Sequence, residues 1–179
     1  MQNSGTKLVL LLVTVAMLLG GVSWWYRYEA AHRASQFWGP EASRLIAESE
    51  AFDAIVFEAC TQDGLAELGS PTFGRTIELH DVRGQAHLRH AILSDRNYLW
   101  KDPHDPATKW RLCLRFGEVE NQVYVLLSDE FKSIAKFDPS TKQVTGFSCV
   151  PMTVSLSQYF GGLNDQAEDA STPSEPPTE

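Results

Sequence analysis

The fold is decided by one alternating stretch, Trp110–Phe116, which reads WRLCLRF. Large apolar residues take every second position of this stretch, and Arg111, Cys113 and Arg115 fill the positions between them. Successive side chains of a β-strand point to opposite faces of a sheet, so a period of two predicts a half-buried strand. We therefore expect an antiparallel strand with one face in the core and a basic outer face.

Three more strand-like stretches follow this one at short intervals. They cover residues 122–128, 133–138 and 143–149, and turn-forming residues separate each stretch from the one before it. Connections of this length join antiparallel neighbours. Together with residues 110–116, they predict a four-stranded antiparallel meander.

The segments around the meander predict helices and additional strands. Apolar residues at helical spacing indicate helices at residues 41–50 and 84–94 and from Pro151 onward, and Phe52–Ala59 and Thr76–Leu79 are typical of strands. The predicted fold class is α+β: an N-terminal transmembrane helix followed by one domain, whose antiparallel sheet is covered by two to three helices.

An uncharged stretch of nineteen residues, Leu8–Tyr26, predicts the transmembrane anchor. As a helix it would be roughly 28 Å long, close to the hydrocarbon thickness of a bilayer, about 30 Å. The stretch ends in Trp24, Trp25 and Tyr26, and Arg27 follows. These residue types favour the membrane–water interface, so the four are predicted to lie there in a single-pass protein.

Two properties of the anchor stay open from the sequence. Lys7 and the apolar residues after it also fit a cleaved secretory signal, although only Gly21 and Ser23 offer the small residues of a cleavage site. The basic residues on the two sides of the anchor nearly balance, so charge does not set its orientation. A short head before a large domain favours a signal-anchor protein in the cell membrane, with an extracytoplasmic domain.

Changes in composition divide the chain into five segments. These are a short head at residues 1–7, the anchor at 8–26, a helical juxtamembrane stalk at 27–38, a soluble α+β domain at 39–163 and a disordered acidic tail at 164–179. The tail has no aromatic or β-branched apolar residue and therefore too little apolar surface to become ordered.

The charge distribution argues against a nucleic-acid partner. The formal net charge is −8, and much of it comes from acidic residues in the tail, which leaves residues 1–163 close to neutral. Non-specific binding to nucleic acid requires a concentrated cationic surface, and no nucleic-acid reader motif occurs in the chain.

The three cysteines, Cys60, Cys113 and Cys149, are too few for a disulfide framework, and the odd number leaves at least one without an internal partner. In an exported domain, one bridge and one free thiol could form in any of three pairings. Three buried single thiols are the simpler interpretation.

Cys149 is the best catalytic candidate because it precedes the helix that begins at Pro151. A thiol near a helix N-terminus can have a lowered pKa and act as a nucleophile or redox group. The sequence shows no CxxC partner and no neighbouring histidine, so a small buried residue at the end of a strand is the simpler interpretation of Cys149.

His87 and His90 are the candidate metal ligands. They are three residues apart on a predicted helix and would therefore lie on one side of it. No third ligand stands at a recognised spacing from the pair, so surface histidines without a metal are the simpler interpretation.

Arg111 and Arg115 could form a patch that binds an anion or a lipid headgroup. Charged residues on a solvated sheet face also prevent aggregation without any ligand. The solvated face without a ligand is the simpler interpretation of Arg111 and Arg115.

The sequence holds none of the GxxxxGK, GxSxG or HExxH motifs that would indicate nucleotide binding or hydrolysis, and no cofactor is expected. Our leading hypothesis is a non-enzymatic membrane protein whose domain binds or scaffolds another protein at the cell envelope. Its partners would be the lipid bilayer and a protein of unknown identity. The alternatives are a thiol-redox or metal-dependent enzyme using Cys149 or the His87/His90 pair, and an anion- or lipid-binding module using Arg111 and Arg115.

Overall fold

A computed structural model describes residues 4–30, 32–68, 73–79, 82–105 and 107–169, with all their side chains except those of residues 4–6, 8, 26–30, 66 and 162–169. The helices are α1 (Ser4–Ala30), α2 (Arg33–Trp38), α3 (Pro40–Glu48), α4 (Gln85–Leu93) and α5 (Thr153–Asp169). The strands are β1 (Phe52–Cys60), β2 (Arg75–Glu78), β3 (Leu99–Pro103), β4 (Trp110–Phe116), β5 (Val123–Ser128), β6 (Ser133–Asp138) and β7 (Gln143–Ser148). Short 3₁₀ turns lie at Gln62–Glu67, Asp95–Asn97 and Val150–Met152.

In the described part of the chain, the seven strands form one antiparallel sheet in the order β2-β1-β4-β5-β6-β7-β3. The α+β class and the antiparallel sheet agree with the prediction, and the predicted meander is present as β4–β7. The predicted number of four strands is wrong, because β1 and β2 extend the sheet beyond β4 and β3 pairs with β7. The sequence analysis missed β3 altogether, since its residues 101–103 are Lys, Asp and Pro and resemble a turn.

The helix α1 contains the stretch that predicted the transmembrane anchor. Among the described residues, no helix combines the length and the apolarity that crossing a bilayer requires. This finding contradicts the predicted anchor at residues 8–26 and the predicted single-pass membrane localisation with an extracytoplasmic domain.

The predicted interface residues lie at the end of α1. Trp24 and Trp25 are exposed there, at 67% and 60% of their surface. The side chains of Tyr26 and Arg27 lie outside those described. The membrane interface assigned to these four residues depended on the predicted anchor, and the described residues do not test it separately.

Helices α2–α5 cover one face of the sheet. Their buried residues pack on β1, β4, β5 and β6 in one continuous core, which includes Trp38, Ile46, Ile92, Leu114, Phe116, Val125, Leu127 and Phe160. Ala34 and Trp38 of α2 are buried in this core, so α2 belongs to the folded domain although residues 27–38 were predicted to form a stalk.

A second, smaller core lies on the opposite face of the sheet. It contains Phe57, Leu65, Trp110, Cys113, Leu126 and Phe137, and Leu65 comes from the 3₁₀ turn at Gln62–Glu67. Cys113 is fully buried there, so the face of β4 that was predicted to be solvated is covered in its middle. Only Arg111 and Arg115, on either side of Cys113, keep contact with solvent.

The helix α5 continues to Asp169, and the backbone of the first residues of the predicted tail is therefore helical. The rest of that tail, residues 170–179, lies outside the described residues.

Candidate functional site

A groove of about 810 Å³ separates α4 from α5, and the two candidate metal ligands lie on its rim. His87 and His90 are both exposed on α4. Among the described residues, no group of three or more His, Cys, Asp or Glu side chains is placed to hold a metal ion. The histidine pair therefore lines a groove and is not joined there by a third ligand from the described part of the chain.

Each side of the groove is a stripe of residues at helical spacing. One stripe consists of Gly84, His87, Leu88 and Ala91, and the other of Met152, Ser155, Leu156 and Tyr159. Both stripes have the spacing i, i+3, i+4, i+7, in which the first residue, Gly84 or Met152, directly precedes the helix and the other three share one side of it. The groove therefore runs along the two helices.

The floor of the groove is apolar, and its rim is basic or neutral. Leu88, Met152 and Leu156 are buried beneath it. Besides Tyr159, the charged or titratable groups of the groove are His87, His90 and Arg96, and its described lining includes Asn97, Ser155 and Gln158 but neither an aspartate nor a glutamate. This composition contrasts with the acidic balance of the chain as a whole.

Gly84 and Tyr159 approach each other closely across the groove. Gly84 adopts a φ of +93°, and a Cβ on it would lie 3.1 Å from Cε2 of Tyr159, so glycine suits both the backbone and the contact. The Tyr159 hydroxyl is buried, and no hydrogen-bond partner for it is found among the described residues. Burial raises the pKa of Tyr159, while the positive charge of Arg89 acts in the opposite direction.

Cys149 lies at the start of the turn that leads into α5, as the sequence indicated, but its thiol is fully buried. The thiol donates a hydrogen bond to the carbonyl of Phe131 at 3.4 Å, and the Thr153 hydroxyl donates to the same carbonyl at 2.9 Å. Burial raises the pKa of Cys149 to about 12 and outweighs any lowering by the helix N-terminus. The thiol is therefore protonated near neutral pH, which does not favour the nucleophile hypothesis.

The other two cysteines also carry free thiols. Cys113 is fully buried, and this burial raises the pKa of its thiol. Cys60 is partly exposed at the end of β1, and burial raises its pKa as well. These environments agree with the interpretation of three single thiols.

Arg115 is engaged by a carboxylate on the neighbouring strand. Asp53 lies directly opposite it in the register of β1 and β4. The Arg115 Nε donates to both carboxylate oxygens, at 3.0 and 3.2 Å, and Nη2 donates to Oδ2 as well. This hydrogen bonding raises the pKa of Arg115. Arg115 is thus occupied by an intramolecular ion pair rather than free to bind an anion.

Arg111 has a different environment, although it was predicted to act together with Arg115. It donates one hydrogen bond to Oδ1 of Asp129 at 3.0 Å, and its side chain is 56% exposed. The pairing of β4 is irregular at Arg111 on both neighbouring strands. On the β5 side, Trp110 and Leu112 pair with two consecutive residues, Ser128 and Leu127. On the β1 side, the register also shifts between Leu112 and Trp110. Arg111 therefore occupies a β-bulge, a feature that redirects side chains.

Apolar residues at helical spacing correctly predicted helices at residues 84–94 and from Pro151 onward, but they did not predict a groove between the two helices. Helical spacing shows which residues share a side of a helix, whereas it does not show which neighbour that side meets. The groove and the role of Arg96 on its rim were missed for this reason.

No protein-family model, curated protein or solved structure matches the chain.

Proposed function

We propose that this domain binds another protein by taking an amphipathic helix of that protein into the groove between α4 and α5. The observation that carries the proposal is the pair of i, i+3, i+4, i+7 stripes that line one open groove with an apolar floor. A groove between two helices is a common receptor for the apolar side of a third helix.

The dimensions of the groove fit a short helical segment. From residue 84 to residue 91 a helix rises roughly 10 Å, or two turns. A bound helix covers the same length with three apolar side chains at positions i, i+3 or i+4, and i+7. Leu88, Met152 and Leu156 supply the apolar surface on which these side chains would rest.

The charges on the rim favour an acidic partner. Arg96 is an exposed cation at the groove, and His87 and His90 are exposed beside it. Because the described side chains that line the groove include no carboxylate, Asp or Glu residues beside the apolar positions of the partner helix would meet no like charge among them. The partner is therefore a helix with an apolar stripe flanked by acidic residues.

Site-specific photo-crosslinking tests this proposal directly. A photo-reactive amino acid at Ser155, inside the groove, is compared in the full chain with the same amino acid at Val119, which is 88% exposed outside the groove lining. We expect a protein to be captured from Ser155 and not from Val119. The captured peptide should carry apolar residues at helical spacing, flanked by Asp or Glu.

A matched pair of substitutions then locates the contact. Ser155→Glu places a carboxylate in the groove, whereas Ser157→Glu makes the same change on the same helix outside its lining. A synthetic copy of the captured peptide should bind Ser155→Glu at least about tenfold more weakly than the unchanged chain, and Ser157→Glu about equally well. Equal binding to both variants, or capture only of a second copy of this chain, would contradict the proposal.

The alternative functions have less support. A thiol enzyme would require Cys149 to ionise, and its burial opposes this. A metal enzyme would require further ligands beside His87 and His90, and none is placed there by the residues that the structure describes.

A further inference from the structure

A second cavity lies between α5 and the sheet, beside Arg111. Its volume is about 140 Å³, and its walls are largely apolar, formed by Ala54, Val56, Leu112, Phe131 and Phe160 among others. An apolar cavity of about 150 Å³ is large enough to hold a benzene ring. The cavity therefore has room for one small aromatic or branched aliphatic group.

The polar residues of this cavity are Arg111, Asp129 and Ser157. A guanidinium carries five N–H donors, and one hydrogen bond of Arg111, to Asp129, is found in the described structure. Arg115 differs because its hydrogen bonds to Asp53 already use the side of the guanidinium that matches a carboxylate. Arg111 thus retains donors for a ligand, while Asp129 holds it beside the cavity.

We propose that this cavity binds a small monocarboxylate, with its aromatic or branched apolar group among Ala54, Leu112 and Phe160 and its carboxylate on Arg111. The carboxylate is favoured over other headgroups because the planar guanidinium binds it through two parallel hydrogen bonds. The β-bulge in β4 explains how a residue of an otherwise regular strand comes to lie at this cavity. This site lies on a different side of α5 from the groove that contains Ser155 and Tyr159, so the two proposals are independent.

Benzoate is a suitable probe, since it combines a ring of the right size with a carboxylate. Benzyl alcohol and benzylamine keep the ring and replace the carboxylate with a neutral group or a cation. Titration of the full chain, followed by calorimetry, should show saturable binding of benzoate at least about tenfold tighter than that of either comparison compound. If benzyl alcohol binds as tightly as benzoate, or benzoate does not bind, the proposal is overturned.

Charge substitutions test the role of Arg111. Arg111→Gln should weaken benzoate binding about tenfold or more and leave benzyl alcohol unchanged. Asp129→Asn keeps an acceptor oxygen for Arg111 but removes the negative charge that competes with the ligand, so it should tighten benzoate binding severalfold. Arg44→Gln makes the same loss of charge at an exposed position of α3 and serves as the control. If Arg111→Gln and Arg44→Gln weakened benzoate binding equally, the affinity would depend only on the net charge of the chain, and the proposal would be overturned.

Gly161 offers a test that does not alter the charged residues. It lines the cavity on α5, and a Cβ placed on it meets no atom within 4 Å. Gly161→Leu should therefore fold normally while its side chain obstructs the cavity, and benzoate binding should be lost. Unchanged benzoate binding by a folded Gly161→Leu variant would exclude this cavity as the site.

Discussion

The guanidinium carbon of Arg89 lies 5.1 Å from the centre of the Phe52 ring, so a buried cation on α4 packs against an aromatic side chain of β1. The ring of Phe116, which stacks on Phe52, lies 5.5 Å from the same carbon. Arg89 also donates hydrogen bonds to the carbonyls of Ile46 at 3.0 Å and Ser49 at 2.7 Å. These carbonyls lie at the C-terminal end of α3, where the helix dipole favours a positive charge. Arg89 therefore joins two helices and two strands.

Arg89→Lys should lower the free energy of unfolding by about 1–3 kcal/mol. Lysine keeps the charge, but it loses the planar fork that reaches two carbonyls and stacks over aromatic rings. Arg44→Lys, at an exposed position of α3, is the matched control and should change stability by less than about 0.5 kcal/mol. Urea denaturation of both variants measures the difference. Equal stability of the two variants would show that the contacts of Arg89 contribute little.

The three thiols should differ sharply in reactivity. Cys60 is partly exposed, whereas Cys113 and Cys149 are fully buried. At neutral pH, an alkylating reagent should modify Cys60 first and reach the other two only when the domain unfolds, because both burial and a raised pKa suppress the thiolate. Mass spectrometry of the labelled peptides, with Cys60→Ser as the control, identifies the sites. If Cys149 in the native domain were labelled as fast as Cys60, the result would contradict this prediction and support a reactive thiol at Cys149.

The buried Cys149 thiol should also make stability depend on pH. An unfolded chain ionises this thiol near its ordinary pKa of 9.0, whereas the folded domain holds the proton up to about pH 12. The unfolded state therefore loses its proton first, and the stabilisation that is complete below pH 9 declines as the pH rises towards 12. The slope for this one group approaches about 1.4 kcal/mol per pH unit.

Cys149→Ala isolates this contribution. Other buried groups, including Tyr98 and Cys113, have pKa values raised in the same direction, so the useful quantity is the stability of the unchanged chain minus that of the variant. This difference should be constant between pH 7 and 8 and fall between pH 9 and 10.5 in urea denaturation. A difference that does not vary with pH would show that Cys149 is not protected from ionisation.

Local sequence patterns predicted several elements well and long-range pairing poorly. The bounds of β4 and β6 coincide with the predicted strands, since a period of two or a short apolar run between turns is a local signal. The pairing of β1 with β4 and of β3 with β7 joins segments that are distant in the sequence. The alternation of apolar residues within a strand does not show which other strand it pairs with. The sheet was therefore predicted to be too small.

The candidate sites show the same limit. Arg111 and Arg115 are equivalent in an ideal alternating strand, yet a bulge places Arg111 beside a cavity and Asp53 engages Arg115. Neither the bulge nor the carboxylate, which lies 62 positions away from Arg115 in the sequence, could be derived from the strand itself. The position of Cys149 before a helix was predicted correctly, but its burial depends on packing against the turn that contains Phe131.

Replacing glycine by alanine should stabilise the domain at Gly161 and destabilise it at Gly146. Gly161 is helical, and a Cβ there meets nothing within 4 Å, so Gly161→Ala should stabilise the domain by about 0.5–1 kcal/mol through a lower entropy of the unfolded chain. Gly146 lies opposite Ala135 in the sheet, where an added Cβ would come within 2.5 Å of the Ala135 Cβ and collide with the Ile134 carbonyl. Gly146→Ala should therefore destabilise the domain by about 1–3 kcal/mol.

Thermal and urea denaturation of the two variants measure these effects under identical conditions. Because each variant adds one methyl group and removes one glycine, the change in the unfolded chain is nearly the same for both. The difference between them therefore reports the space around each position in the folded domain. If Gly146→Ala were as stable as Gly161→Ala, β6 and β7 could not be paired in the register that sets Gly146 against Ala135.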